Sequence, residues 1–200
     1  PLPALKNGYV TLGTLTRAIR MNDRTVKVWS EILRRLPRAH LVVNSTSYRD
    51  GPMCEQLIRR FEAHGIERQR LEIGCTSPAW DVLRGMDIGL DCFPHNSGVT
   101  LVETLYMGVP YVTLADRPSV GRIGASVLQS VGHPEWIADN EAAYVDKVVA
   151  LASDIPALQA LRGTLRDQMG ASPLMDEPAF ARKFEAALRG MFTNWCENQA

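Results

Sequence analysis

Residues 87 to 114 read DIGLDCFPHNSGVTLVETLYMGVPYVTL, and the order of their parts decides the fold. A short apolar strand from Ile88 to Cys92 runs into a Pro/Asn/Ser/Gly turn, then a helix that ends at Gly108, then a second strand from Pro110 to Leu114. This is a βαβ unit with a turn suited to an anion. The amides of Gly98, Val99 and Thr100 are the unpaired donors of the helix's first turn, and glycine lets a ligand approach the backbone closely. One turn into the helix stands Glu103. A carboxylate there repels bare phosphate but accepts two hydrogen bonds from a ribose diol, so the pairing points to a nucleotide.

Working outward, strand-like and helix-like segments alternate. Tyr9 to Leu12 reads as a strand, and Asn22 caps a helix with Val26, Trp29, Ile32, Leu33 and Leu36 on its buried stripe, stopped by Pro37. His40 to Asn44 is a second strand. A helix from Asp50 to His64 turns Met53, Leu57, Ile58 and Phe61 inward and is closed by Gly65. Leu71 to Ile73 is a third strand, and Ser77-Pro78 opens a short helix. Beyond the central unit come a helix from about Val120 to Val131, closed by Gly132, and a small strand at Trp136-Ile137. From Asn140 on the pattern predicts three helices, with breaks near Ser153 to Pro156 and Gly170 to Pro173. The prediction is an α/β fold within one lobe. A parallel sheet of about six strands, covered by helices on both faces, occupies about residues 8–139, and a helical tail occupies about 140–200.

Composition narrows the class. The chain has 200 residues, 46% of them hydrophobic, which is ample for a core. Its 22 basic and 22 acidic residues cancel, arguing against a general nucleic-acid or membrane-surface partner. No apolar run approaches ~20 residues, so no helix is expected to span a bilayer. The opening PLPALKNG has neither a starting methionine nor a signal pattern and reads as an interior linker, so a fragment of a longer protein is expected. Cys54, Cys75, Cys92 and Cys196 are widely spaced with no metal-type partners, as in a cytoplasmic protein with reduced thiols.

Ligands of such sheets bind at loops that leave the carboxyl ends of the strands, near a reversal of strand order. In the loop after the first strand, Arg17 and Arg20 could grip a diphosphate; a solvated basic loop is the plainer alternative. The loop after the third strand, Gly74 to Trp80, could read a base edge with its backbone and stack Trp80 on the base, unless Trp80 is a core or lid residue. Asp87 and Asp91 fall on one side of a strand and read as strand-end residues, not a metal pair. Gly121-Arg122-Ile123-Gly124 lacks the third glycine of a dinucleotide fingerprint, and Ser97 and Ser126 lack a hydrolase context. The last helix spaces Phe180, Phe184, Leu188, Met191, Phe192 and Trp195 at helical intervals, as core or as a face that can drive homodimerisation.

The order of these pieces carries a resemblance. Asn7-Gly8-Tyr9-Val10-Thr11-Leu12-Gly13-Thr14 through Arg20 and Trp29, Leu90-Asp91-Cys92-Phe93-Pro94, Asn96, Thr100, Glu103 through Pro110, Arg122-Ile123-Gly124-Ala125-Ser126, Trp136-Ile137-Ala138 and Ser172-Pro173-Leu174 together resemble one family. It is the carboxyl-terminal catalytic lobe of the O-linked N-acetylglucosamine transferase and SPINDLY-like glycosyltransferases. The resemblance implies a Rossmann-like lobe of a two-lobed GT-B enzyme, often preceded by tetratricopeptide repeats. It implies inverting, metal-independent transfer of a sugar, N-acetylglucosamine from a UDP-linked donor, to Ser or Thr of proteins, with no cofactor beyond the nucleotide sugar. The protein acceptor would be held through the other lobe. On the same footing, Arg20 and Arg17 match positions on the donor diphosphate, Thr100 a phosphate-holding threonine, Glu103 the ribose acid, and Thr76 the base loop. Arg20 and Thr100 would be the catalytic pair. Gly98 and Val99 stand where the family has histidine and threonine, which keeps open a non-catalytic nucleotide-binding or protein-interaction module. His95, at the other end of the turn, could compensate or be structural.

Overall fold

The computed structural model describes residues 1–198. Its strands are β1 (Thr11–Leu15), β2 (His40–Asn44), β3 (Leu71–Gly74), β4 (Ile88–Leu90), β5 (Tyr111–Leu114) and β6 (Ile137–Ala138). All pair in parallel, in the order β3-β2-β1-β4-β5-β6. The helices are α1 (Pro3–Asn7), α2 (Asp23–Arg35), α3 (Gly51–Glu62), α4 (Ala79–Gly85), α5 (Val99–Tyr106), α6 (Ile123–Val131), α7 (Glu141–Ser153), α8 (Ile155–Gly170) and α9 (Glu177–Glu197). Right-handed crossovers carry α2 and α3 over one face and α4, α5 and α6 over the other. Strand order reverses between β1 and β4, which makes that crevice the favoured place for a ligand.

Local chemistry explains the elements. The Asn22 side chain accepts from the Thr25 amide at 2.9 Å and starts α2, whose Val26, Trp29, Ile32 and Leu33 are buried against the sheet. Leu12, Leu41, Val43, Ile88, Leu90, Val112 and Leu114 supply the sheet's part of the core. Gly89 pairs with Tyr111, and a Cβ on it would come within 2.8 Å of the Tyr111 Cβ, so only glycine allows this close approach. Gly108 ends the α5 segment at φ +73°, with the carbonyl oxygen of Arg162 on α8 2.6 Å from where its Cβ would stand.

Several expectations need correction. The opening residues are no linker: Pro3 starts α1, Gly8 caps it in the left-handed region, and Leu2 and Ala4 are buried. The first strand is displaced to Thr11–Leu15, because pairing with β2 runs on as far as Leu15 with Asn44, while Tyr9 leaves the ladder to stack on His40. Met53 is exposed; it stands in the first turn of α3, at the rim of a surface cavity shared with Tyr48 and Leu57. Hydrogen bonding sets β4 to end at Leu90, α6 to begin at Ile123, and β6 to comprise Ile137 and Ala138. The apolar residues of α9 are not core: Phe180, Phe184, Leu188, Met191, Phe192 and Trp195 are all exposed.

Two buried carboxylates fasten the ends of β4 to neighbouring segments. Asp87 accepts from the amides of Ala4 at 2.9 Å and Thr11 at 2.8 Å, fixing α1 to the sheet. At the other end of β4, Asp91 accepts from the Ser97 amide at 2.8 Å and the Thr113 hydroxyl at 2.7 Å. Burial pushes the Asp91 carboxyl up to about 7, against the pull of these donors. A folded pKa above the unfolded value means that the folded chain holds this proton longer. The stability contributed by Asp91 therefore falls as pH rises from about 4 to about 7.

Two outcomes are expected. Asp91→Asn keeps an acceptor for Ser97 and offers a donor to Thr113, so it should remove that pH-dependent component. Urea midpoints at pH 4.5 and 7.5 should then separate parent and variant by different amounts, and an equal separation at both would show that Asp91 does not titrate in that window. Gly108→Ala combines an unfavourable backbone with a clash against α8 and should cost about 2–4 kcal/mol in urea unfolding. A loss near zero would mean that α8 can move aside.

Candidate active site

Three loops meet at the carboxyl ends of β1, β4 and β5. The turn after β4 is anchored from every side. Asn22 Nδ2 donates to the Phe93 carbonyl at 2.6 Å, and Thr25 Oγ1 donates to the same oxygen at 3.0 Å. Buried Asn96 donates to the Cys92 carbonyl at 3.0 Å and accepts from the Gly124 amide at 3.2 Å. The Tyr144 hydroxyl donates to the Asp91 carbonyl at 3.0 Å. Such a turn can present its amides without rearranging, which is what preorganised anion binding requires.

Arg20 reaches this turn from the loop after β1. Its Nη1 donates to Ser97 Oγ and its Nη2 to His95 Nε2, both at 3.4 Å, while its Nε is buried with no partner among the described residues. A guanidinium only donates, so His95 Nε2 must carry the lone pair. Desolvation and the charges of Arg20, Arg17 and Arg117 lower the His95 pKa, which favours the neutral imidazole that this contact needs. Among the described residues, none of these three arginines has a carboxylate partner. The result is a cluster of three arginines that make no ion pair among the described residues.

The first turn of α5 faces the same crevice. Gly98 precedes it, and among the described residues the amides of Val99 and Thr100 have no acceptor. Thr100 is half-buried with its carbonyl taken by the Thr104 hydroxyl at 2.6 Å, leaving its own hydroxyl free. Glu103 is half-buried, without an ion pair or hydrogen bond to its carboxylate among the described residues. Val99 is 75% exposed, and a Cβ added at Gly98 would meet nothing within 4 Å. These two positions therefore lack polar contacts for reasons unrelated to packing.

The loop after β3 departs from expectation. Thr76 does not offer its backbone to a base: its amide donates to Asn44 Oδ1 at 2.7 Å and its carbonyl accepts from Asn44 Nδ2 at 3.2 Å. Its side chain remains exposed. Trp80, 41% exposed in the first turn of α4, is not core. Right-handed crossovers place it on the same sheet face as the start of α5. Asp87 and Asp91 serve opposite ends of β4 as structural acceptors. Arg122 is structural as well, its Nε donating to the Asp116 carbonyl at 2.7 Å.

Sequence reading missed Ser97 as the acceptor that aims Arg20, and Arg117 altogether. Ser97 had one available signal, its place between Asn96 and the glycine that opens the helix. Arg117 had none, because its loop has no motif.

Comparison with known proteins identifies the family. The model of glycosyl transferase family 41 matches residues 5–184. A protein of Arabidopsis thaliana, "Probable UDP-N-acetylglucosamine--peptide N-acetylglucosaminyltransferase SPINDLY", is 36% identical over 203 residues, covering 100% of this chain and 22% of its own length. The UDP-N-acetylglucosamine–peptide N-acetylglucosaminyltransferase of Caenorhabditis elegans is 25% identical over 195 residues, 96% of this chain and 17% of its own. The structure of a mutant Thermobaculum terrenum O-GlcNAc transferase superposes with a TM-score of 0.89 at 31% identity, over 96% of this chain and 38% of that one. The chain thus spans about a fifth of the length of these curated relatives. By sequence along nearly its whole length and by fold, the chain belongs to glycosyl transferase family 41.

Proposed function

We propose that this chain is the donor-binding lobe of a larger inverting, metal-independent glycosyltransferase that moves N-acetylglucosamine from UDP-N-acetylglucosamine to Ser or Thr of proteins. The carrying observation is Arg20, held by Ser97 and His95 in the turn that precedes α5, with no ion pair among the described residues and a buried Nε that has no hydrogen-bond partner there. As the sugar leaves, negative charge builds on the diphosphate, and donors fixed in advance lower that barrier. Arg20, the Thr100 hydroxyl and the α5 amides are those donors; Arg17 adds charge at the rim. Glu103, free of any cation among the described residues, takes the ribose diol. Trp80 and the Thr76 side chain border the space for the base. The acceptor hydroxyl attacks from the face opposite the diphosphate, so its base comes from outside this segment. The names of the relatives support the donor and acceptor classes.

A second reading keeps the fold and nucleotide binding without transfer. Gly98 and Val99 favour it, since neither side chain can hold a phosphate.

Calorimetric titration with UDP and GDP tests the first reading. Saturable UDP binding is expected, and no binding of either nucleotide would overturn it; tighter GDP binding would move the donor to a guanosine sugar. Arg20→Ala should weaken UDP about 10- to 100-fold and abolish transfer in the intact enzyme. Unchanged affinity together with unchanged turnover would remove Arg20 from the site. Glu103→Gln should weaken UDP far more than its 2′,3′-dideoxy analogue, whereas equal losses would take Glu103 off the ribose.

A further inference from the structure

We propose that Arg117, on the loop after β5, is a third cationic ligand of the donor diphosphate, facing Arg17 and Arg20 across the Asn96–Thr100 turn. The proposal rests on the donor-site reading above and adds a residue to it.

In the sheet, β4 lies between β1 and β5, so the loops after β1 and β5 flank the turn after β4 on its two sides. The β5 loop folds tightly on itself: the Gly121 amide donates to the Arg117 carbonyl at 3.0 Å, and the Asp116 amide to the Gly121 carbonyl at 2.9 Å. It also lies against the turn. The Asn96 amide donates to the Val120 carbonyl at 3.0 Å, and a Cβ on Gly121 would stand 2.8 Å from the Pro94 carbonyl oxygen. Arg117 is therefore delivered beside the turn by backbone contacts, and its charge is one of the three that act on His95.

Its guanidinium is also available. Asp116, the adjacent acid, is occupied on both oxygens: Oδ2 by Arg24 Nη1 at 2.6 Å and Oδ1 by the Arg117 amide at 2.7 Å. Arg24 is held further by Glu141. Both oxygens of the adjacent carboxylate are thus taken by other donors, its charge reaches the Arg117 side chain only through space, and the exposed Arg117 guanidinium has no ion pair among the described residues.

Three guanidiniums without an ion pair among the described residues, gathered around the His95 imidazole, repel one another. A diphosphate, with two or more negative charges and planar-matched oxygens, relieves that repulsion. Arg17 and Arg20 approach from one side and Arg117 from the other, so the group is clamped and not merely attracted. Neutral uridine gains nothing from this arrangement.

The test uses the intact protein with three probes: UDP, inorganic pyrophosphate and uridine, the last followed by NMR. Arg117→Ala should weaken UDP and pyrophosphate about 5- to 20-fold and leave uridine unchanged, and Arg117→Lys should recover part of the loss. UDP and pyrophosphate affinities equal to those of the parent would overturn the assignment while leaving the donor site intact. A loss shared equally by uridine would also overturn it, because Arg117 would then be shaping the turn. Failure of the parent itself to bind UDP or pyrophosphate, with GDP also unbound in the calorimetry above, would instead overturn the donor-site reading, and the role of Arg117 with it.

Discussion

The buried Asp91 carboxylate at the end of β4 is the contact on which the site depends. It joins the Ser97 amide in the turn to the Thr113 hydroxyl on β5, so the turn cannot shift without breaking a hydrogen bond inside the core. A buried polar group left unpaired costs about 1–3 kcal/mol, enough to hold one conformation of so short a loop. Gly124 completes the arrangement, since a Cβ there would fall 2.6 Å from Asp91 Oδ2 and 2.4 Å from Thr113 Oγ1. The glycine at the start of α6 is thus required by the carboxylate, not by helix geometry.

A fixed turn makes the placement of Arg20 meaningful. Ser97 is held by Asp91 through its amide and receives Arg20 on its hydroxyl, so core, turn and guanidinium form one chain of contacts. His95 receives the other terminal nitrogen, and it can do so only while neutral. Desolvation and then the surrounding arginines lower its pKa, so the charge that attracts an anion also favours the acceptor that holds Arg20. Local electrostatics and local geometry reinforce each other here.

The βαβ unit at the centre was legible because its signals are local: a glycine stop, a proline after it, and apolar runs of strand length. The caps at Asn22 and Gly132 and the strand His40–Asn44 were legible for the same reason. Arg17, Arg20, Thr100 and Glu103 were readable as a group through their order along the chain, and the fold brings the loops that carry them to one crevice. What escaped depends on contacts distant in sequence. The α1 segment looks like a linker until Asp87, 83 residues beyond Ala4, accepts its amide. Thr76 looked free because nothing in its loop reveals that Asn44 would occupy both its backbone groups. Arg117 was invisible because its neighbour Asp116 looks like its partner, and only Arg24, 92 residues from Asp116, shows that the carboxylate pairs elsewhere.

Gly98 and Val99 then take on a different meaning. In the family that the sequence resembles, those positions carry polar side chains that touch the donor directly. Here they offer open space and an exposed isopropyl group, so on the proposed reading more of the phosphate binding falls to backbone amides and to charge. Charge acts at longer range than a hydroxyl and tolerates looser geometry, but it is screened over about 8 Å at physiological ionic strength where solvent reaches it. Arg20, partly buried with an enclosed Nε, keeps its effect; the exposed Arg17 and Arg117 lose more of theirs. A site built this way gains strength when a covering surface excludes water. Such exclusion strengthens electrostatic contacts because it removes the solvent that screens them.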